Sequence, residues 1–164
     1  NDVSARDIQI PRGQWFHGKS FRGFCPVGPV LQLLGPEDRL DNMELELSVN
    51  GGLRQKANTA DMIYPPHETL TELSMLMDLH PGDLILTGTP GGVALQAPSA
   101  VVRKAAGLLL SETRAMEIFV KNQLKIPNYL HDEDLLEGKI WSADGRIDLG
   151  VQRLRVIGGA SETV

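Results

Sequence analysis

From Met43 to Val49 the chain alternates apolar and polar residues with a period of two, and the run ends on Asn50-Gly51. Such alternation puts the apolar side chains of a strand on one face, and an Asn-Gly pair suits the positive φ angles of a two-residue type I′ turn. The pattern therefore predicts a hairpin whose return strand is Leu53 to Lys56. A second hairpin is predicted where Lys139-Ile140-Trp141 and Arg146-Ile147-Asp148-Leu149 flank Ala143-Asp144-Gly145, with Val151 to Ile157 as a last strand. Leu84-Ile85-Leu86-Thr87 is a brief β-prone apolar run, read as a buried strand that delivers the glycine loop Gly88-Thr89-Pro90-Gly91-Gly92.

Helical spacing is confined to a few segments. Leu70, Leu73 and Met77 recur with a helical period, so a short amphipathic helix is expected near 66–78, stopped by Pro81-Gly82. A longer helix is expected near 99–125, with Ser99 as its N-cap and Pro127 barring continuation. Ser4 and Asp7 have capping-box spacing, which predicts a helical turn starting there and puts Arg6 and Gln9 on one side of it.

With 17 Gly and 10 Pro in 164 residues, many short elements joined by turns are expected, and strands should dominate over helices. The length suits a single domain over 1–164. The net charge of −5, from 16 Lys and Arg against 21 Asp and Glu with no basic block, argues against nucleic acid or an anionic membrane surface as partner. One cysteine, Cys25, cannot form an internal disulfide, and no apolar run approaches the roughly 18 residues of a membrane span, so a cytoplasmic location is expected. The chain begins with Asn and shows no signal-peptide pattern there, so it reads as a cut through a longer protein.

Several residues can carry chemistry. Asp2, Arg6 and Gln9 would set a carboxylate, a guanidinium and an amide close together, a combination suited to a hard metal beside an anionic substrate, although a surface turn with an Asp2–Arg6 ion pair has the same spacing. Lys19, between Gly18 and Ser20, can neutralise a substrate carboxylate or stand as a solvated loop lysine. The amides of the glycine loop and the Thr89 hydroxyl can bind a carboxylate, yet the loop lacks the Lys-Ser/Thr ending of a phosphate loop, so nucleotide binding is set aside. Glu44 and Glu46 share one face of their strand and read as its solvated side. The four histidines show no metal-ligand spacing.

Taken in order, Asn1-Asp2-Val3-Ser4-Ala5-Arg6-Asp7-Ile8-Gln9, Gly18-Lys19-Ser20-Phe21, Cys25-Pro26, Val49-Asn50-Gly51, Arg54-Gln55, Asp61-Met62-Ile63, Pro81-Gly82-Asp83 and Leu86-Thr87-Gly88-Thr89-Pro90-Gly91-Gly92-Val93 resemble the fumarylacetoacetate hydrolase family. The resemblance implies a mainly β (α+β) fold, the mixed β-sandwich roll of that family's C-terminal catalytic domain, here without its N-terminal portion. It implies a homodimer acting on small 2-oxo acids, with Mg²⁺ or Mn²⁺ held by two glutamates and an aspartate. Asp2 matches the aspartate, while the glutamates lie upstream of the matched run in the family, so Glu44 and Glu46 do not correspond. Arg6, Gln9, Lys19 and Thr89 match substrate-contacting and catalytic positions, with Gly88 beside Thr89. The implied chemistry is a metal-stabilised enolate serving C–C hydrolysis, decarboxylation or tautomerisation. A non-catalytic dimerisation or anion-binding remnant is the alternative, and a chain with one of three metal ligands is expected to bind metal weakly and to be inactive or feeble.

Overall fold

Asn50 (φ 51°) and Gly51 (φ 78°) both adopt left-handed backbone, and between them they turn β1 (Met43–Val49) into β2 (Gly52–Asn58). Asparagine and glycine tolerate that region at the least cost, which is why the predicted hairpin forms where the alternation ends. The computed structural model describes residues 1–12, 14–99, 104 and 108–158. Two further strands, β3 (Leu135–Ser142) and β4 (Asp148–Arg155), complete an antiparallel sheet in the order β2-β1-β3-β4. The α+β class expected from the sequence is thus met, with one four-stranded sheet among the described residues.

Residues 146–157 do not split into a hairpin arm and a separate strand as expected. Residues 148–155 among them form the single strand β4, because Gly150 (φ 69°) lets the chain bulge between the Lys139–Val151 and Trp141–Asp148 pairs and then resume its ladder with β3. Ser142 closes this hairpin. Its hydroxyl donates to Asp144 Oδ1 (2.6 Å) and accepts the Ile147 N–H (2.8 Å).

A second irregularity lies in β2. Leu47 faces Gln55 whereas Ser48 faces Leu53, so Arg54 is an extra residue, a β-bulge on an edge strand. Met43, Val49, Leu136 and Ile147 are the buried apolar side chains of this region, each contributing roughly 1.5–3 kcal/mol of burial free energy.

The described residues separate into two compact units, Asn1–Val27 with Val93–Leu130, and Gly28–Gly92 with His131–Val164. The second holds the sheet and α2 (Pro66–Leu76), the short helix expected near 66–78, which starts on a proline whose missing N–H costs nothing in the first turn. The first holds α1 (Arg6–Arg12), a 3-10 turn at His17–Lys19, and α3 (Glu112–Gln123).

Two further expectations need correction. Leu84 to Thr87 is not a buried strand: it has no ladder partner among the described residues, and Leu84 and Leu86 are 62% and 49% exposed. An apolar run marks a preference for burial, but a strand also needs an edge to pair with. The long helix near 99–125 is interrupted. Leu110 and Ser111 are non-helical, and Ser111 accepts the Arg114 N–H (3.4 Å) as the N-cap of α3. A serine placed one turn before an apolar run offers a local acceptor that competes with continuing the helix. Residues 100–103 and 105–107 lie outside the described residues, and so does any test of Ser99 as a cap.

Candidate functional site

In the first unit the Ala5 N–H donates to the Gly18 carbonyl (2.8 Å), while the Ala5 carbonyl accepts the N–H groups of Ile8 (3.2 Å) and Gln9 (2.9 Å). That makes Ala5 the residue from which α1 departs. The Ser4–Asp7 capping box does not form, because docking on Gly18 fixes Ala5 as the first acceptor and the Ser4 hydroxyl instead donates back to the Asp2 carbonyl (3.3 Å). The helix therefore begins at Arg6, with Arg6 and Gln9 on one side of its first turn, as the spacing predicts.

The Arg6 guanidinium donates through Nη1 to Gln9 Oε1. Gln9 is only 3% exposed, and its Nε2 has no hydrogen-bond partner among the described residues. A buried amide donor left unpaired costs about 1–3 kcal/mol, so a native fold that keeps one gives reason to look for an oxygen that it receives. Gly18 is what lets the 3-10 turn lie against α1. A Cβ there would stand 2.7 Å from Gln9 Cβ and 3.1 Å from the Ala5 carbonyl oxygen. The same turn carries Lys19, whose Nζ donates to Asp2 Oδ2. Asp2 thus pairs with Lys19, not with Arg6, and the Ala5–Gly18 bond ties the two pairs together.

Tyr129 was not legible as part of this unit. Its hydroxyl donates to Gln123 Oε1 (3.1 Å), and burial pushes the phenol above its usual pKa, opposed by the positive charge of Arg6 and reinforced by Asp7. Gln123, also buried, grips both the N–H (3.2 Å) and carbonyl (2.8 Å) of Gln96. Nothing in the spacing of Tyr129 in the sequence announces that it lies within electrostatic reach of Arg6.

Mg²⁺ takes about six oxygen ligands. The described residues contain no cluster of three His, Cys, Asp or Glu able to hold a metal, and the one carboxylate of this group, Asp2, is already paired with Lys19. These residues do not by themselves fit a divalent cation. His17 offers no ligand either, since its Nδ1 accepts from Arg12 Nη1 (2.7 Å) and its ring stacks on Phe21. Glu44 accepts from Asn58 Nδ2 (2.9 Å) and Glu46 pairs with Lys56 (2.8 Å), so both serve the hairpin face to which alternation assigned them.

Thr89 and Gly88 belong to the second unit. There the Gln55 side chain reaches from β2 to the glycine loop, its Nε2 lying 3.1 Å from the Pro90 carbonyl, 3.3 Å from that of Gly91 and 3.4 Å from Thr89 Oγ1. Gly92 (φ 98°) ends the loop against the backbone of β2, where a Cβ would fall 2.1 Å from the Arg54 carbonyl oxygen. No helix among the described residues is long and apolar enough to cross a membrane.

The family model described as "Fumarylacetoacetate (FAA) hydrolase C-terminal" matches residues 1–156. The mitochondrial oxaloacetate tautomerase FAHD2B of Bos taurus is 42% identical over 107 residues, covering 63% of this chain and 34% of that protein. Among solved structures, a fumarylacetoacetate hydrolase from Exiguobacterium antarcticum aligns with a TM-score of 0.69 and 34% identity, over 96% of this chain and 45% of that one. A 2-hydroxyhepta-2,4-diene-1,7-dioate isomerase from Mycobacterium marinum aligns with a TM-score of 0.64 and 31% identity, again over 96% and 45%. The chain therefore spans less than half the length of each of these relatives.

Proposed function

Because the chain belongs to the fumarylacetoacetate hydrolase family, we propose that the protein acts on small 2-oxo acids through an enolate, with keto–enol tautomerisation of an oxaloacetate-like diacid as the reaction. The observation that carries this reading is the buried Gln9 Nε2, which has no partner among the described residues, beside the Arg6 guanidinium. An anionic oxygen placed there receives a neutral donor and a cation that the fold has already oriented. Lys19 adds a second cation on the turn bonded to Ala5.

When solvent water or hydroxide takes a proton from the carbon next to the carbonyl, negative charge moves onto the carbonyl oxygen, and return of a proton from solvent to that oxygen gives the enol. Donors already aimed at that oxygen favour the enolate over the ketone without reorganising at the moment of reaction. In this reading Arg6 binds a substrate carboxylate, Gln9 Nε2 donates to the developing enolate oxygen, and Lys19 compensates the diacid charge. Thr89 is assigned a separate contact to an anionic oxygen through its hydroxyl. The choice of tautomerisation leans on the Bos taurus relative, whose name states that activity; C–C hydrolysis and decarboxylation share the enolate. Asp2 would be one ligand of a Mg²⁺ or Mn²⁺, whose site the described residues do not complete. A homodimer is part of the proposal.

The test follows the enol absorbance of oxaloacetate with the purified chain. The expected result is interconversion faster than in buffer, reduced about tenfold or more by Arg6→Ala and by Lys19→Ala. Oxalate binding without acceleration would favour the second reading, a non-catalytic anion-binding remnant, which the closed Asp2–Lys19 pair also suits. Neither acceleration nor oxalate binding would overturn both.

A further inference from the structure

We infer that Gln55 is a positioning residue that fixes the glycine loop and sets the polarity of the Thr89 hydroxyl, making it a hydrogen-bond donor to an anionic ligand oxygen. This rests on the assignment of Thr89 as an oxygen-binding group. Arg54 is the extra residue of the bulge in β2. An extra residue in an edge strand twists it locally and re-aims the side chains that follow. Gln55 is the next residue, and its side chain leaves β2 toward residues 89–91.

Which end of the amide faces the loop is decided by chemistry. Backbone carbonyls carry no hydrogen, so the two carbonyl oxygens of Pro90 and Gly91, 3.1 and 3.3 Å away, require the nitrogen end of Gln55. An amide nitrogen only donates, and with two hydrogens for three oxygens the Thr89 contact, the longest, shares a hydrogen with a loop carbonyl. At its contact with Gln55, 3.4 Å away, Thr89 Oγ1 can therefore act only as an acceptor, and its own hydrogen must point elsewhere. A hydroxyl whose lone pair is engaged from behind is preset to donate forward. Gly92 holds the far end of the same loop against the Arg54 carbonyl, so the strand secures the loop at adjacent residues 54 and 55. Nothing in the sequence beyond the Arg54-Gln55 match pointed to this role.

The test uses the 164-residue chain and oxalate as probe, followed at neutral pH by NMR through the oxalate-induced shifts of the Thr89 and Gly91 amides, with Gln55→Glu, Gln55→Ala, Thr89→Val and the double variant Gln55→Glu/Thr89→Val. A carboxylate at position 55 is nearly isosteric but can only accept, so it repels the two carbonyls and draws the Thr89 hydrogen to itself. Gln55→Glu is expected to weaken oxalate binding roughly tenfold or more, the scale of a hydrogen bond to a charged group. It should weaken binding no further in the Thr89→Val background. A merely structural role predicts instead that the two losses multiply, and that result would overturn the proposal, as would Gln55→Glu binding oxalate like the unmodified chain while Thr89→Val does not. If oxalate binds the unmodified chain and Thr89→Val equally, the assignment of Thr89 fails, and with it this inference. If no variant binds oxalate, the backbone order parameters of Gly88, Thr89, Gly91 and Gly92 still decide on the clamp: a fall in Gln55→Ala and Gln55→Glu supports it, and unchanged values refute it.

Discussion

Lys19 Nζ donates to the Asp2 carboxylate across 17 residues of sequence, so the one carboxylate of the Arg6 and Gln9 cluster is held by a cation of the protein itself. Any divalent ion at Asp2 must displace that ammonium. The chain should therefore bind Mn²⁺ weakly, with a Kd on the order of millimolar or above, as expected when a single carboxylate is the protein ligand. Lys19→Met should tighten binding by freeing Asp2, and adding Asp2→Asn should cancel the gain. The electron paramagnetic resonance signal of free Mn²⁺ reads all three, and micromolar binding by the unmodified chain would contradict the description of the site.

Gln9 separates stability from function. Replacing it with methionine keeps the bulk and removes a buried donor that has no partner among the described residues, a gain that offsets the loss of the Arg6 bond to Oε1, so stability should change by less than about 2 kcal/mol. Oxalate affinity should fall roughly tenfold, because the donor assigned to the ligand is gone. Urea denaturation and calorimetry measure the two effects. A loss of more than about 2 kcal/mol would mean that the amide is satisfied in the folded protein.

Gly18 and Gly88 make a paired test of packing. A Cβ at Gly18 meets Gln9 Cβ at 2.7 Å, whereas one at Gly88 meets nothing within 4 Å. Gly18→Ala should cost about 1–3 kcal/mol, the range for overpacking a tight contact, and should weaken oxalate binding by shifting Gln9. Gly88→Ala should be near neutral in stability. Urea midpoints followed by the fluorescence of Trp15 and Trp141 compare the two, and equal effects would contradict the close approach of the 3-10 turn to α1.

What the sequence revealed depended on the range of the interaction. The Asn50-Gly51 turn and the strand before it are local, because two residues with the right backbone tolerance and one alternating run specify the hairpin. The Arg6–Gln9 pair is local too, set by one helical turn. The Lys19–Asp2 and Gln55–Thr89 contacts close long loops, so spacing nominated Asp2, Lys19 and Thr89 but could not say what each would face. The helix cap was misplaced because Ser4 and Ala5 compete, and the outcome turns on the Gly18 carbonyl, which is remote in sequence. The apolar positions of α2 were legible from their period. Yet Leu70 remains 46% exposed, and Met77, expected in the same helix, lies just past its end as the C-cap, since periodicity identifies an apolar face without identifying what covers it or where the helix stops.

Asp134 should make the sheet unit sensitive to acid. Its carboxylate accepts the His131 N–H (2.7 Å) and the Asn50 side-chain amide (2.7 Å), while Asn50 Oδ1 accepts the Leu135 N–H (2.9 Å), so it links the β1–β2 turn to the start of β3. The His131 backbone donor first, and then Asn50, hold its pKa below the usual carboxylate value. A depressed folded-state pKa means that the unfolded chain takes up the proton more readily. The contribution is therefore present in full above the ordinary carboxylate pKa of about 3.9 and is lost as pH falls through the lower folded-state value. Asp144 is lowered in the same way by Ser142 and by the Arg146 N–H, so the acid loss has two parts. Asp134→Asn should lower stability at neutral pH and remove only its own part of the decline below about pH 4, while Asp134→Asn/Asp144→Asn should flatten that limb further. Urea unfolding between neutral pH and about pH 2 reads the slopes. An acid limb as steep in the double variant as in the unmodified chain would place the responsible carboxylates elsewhere.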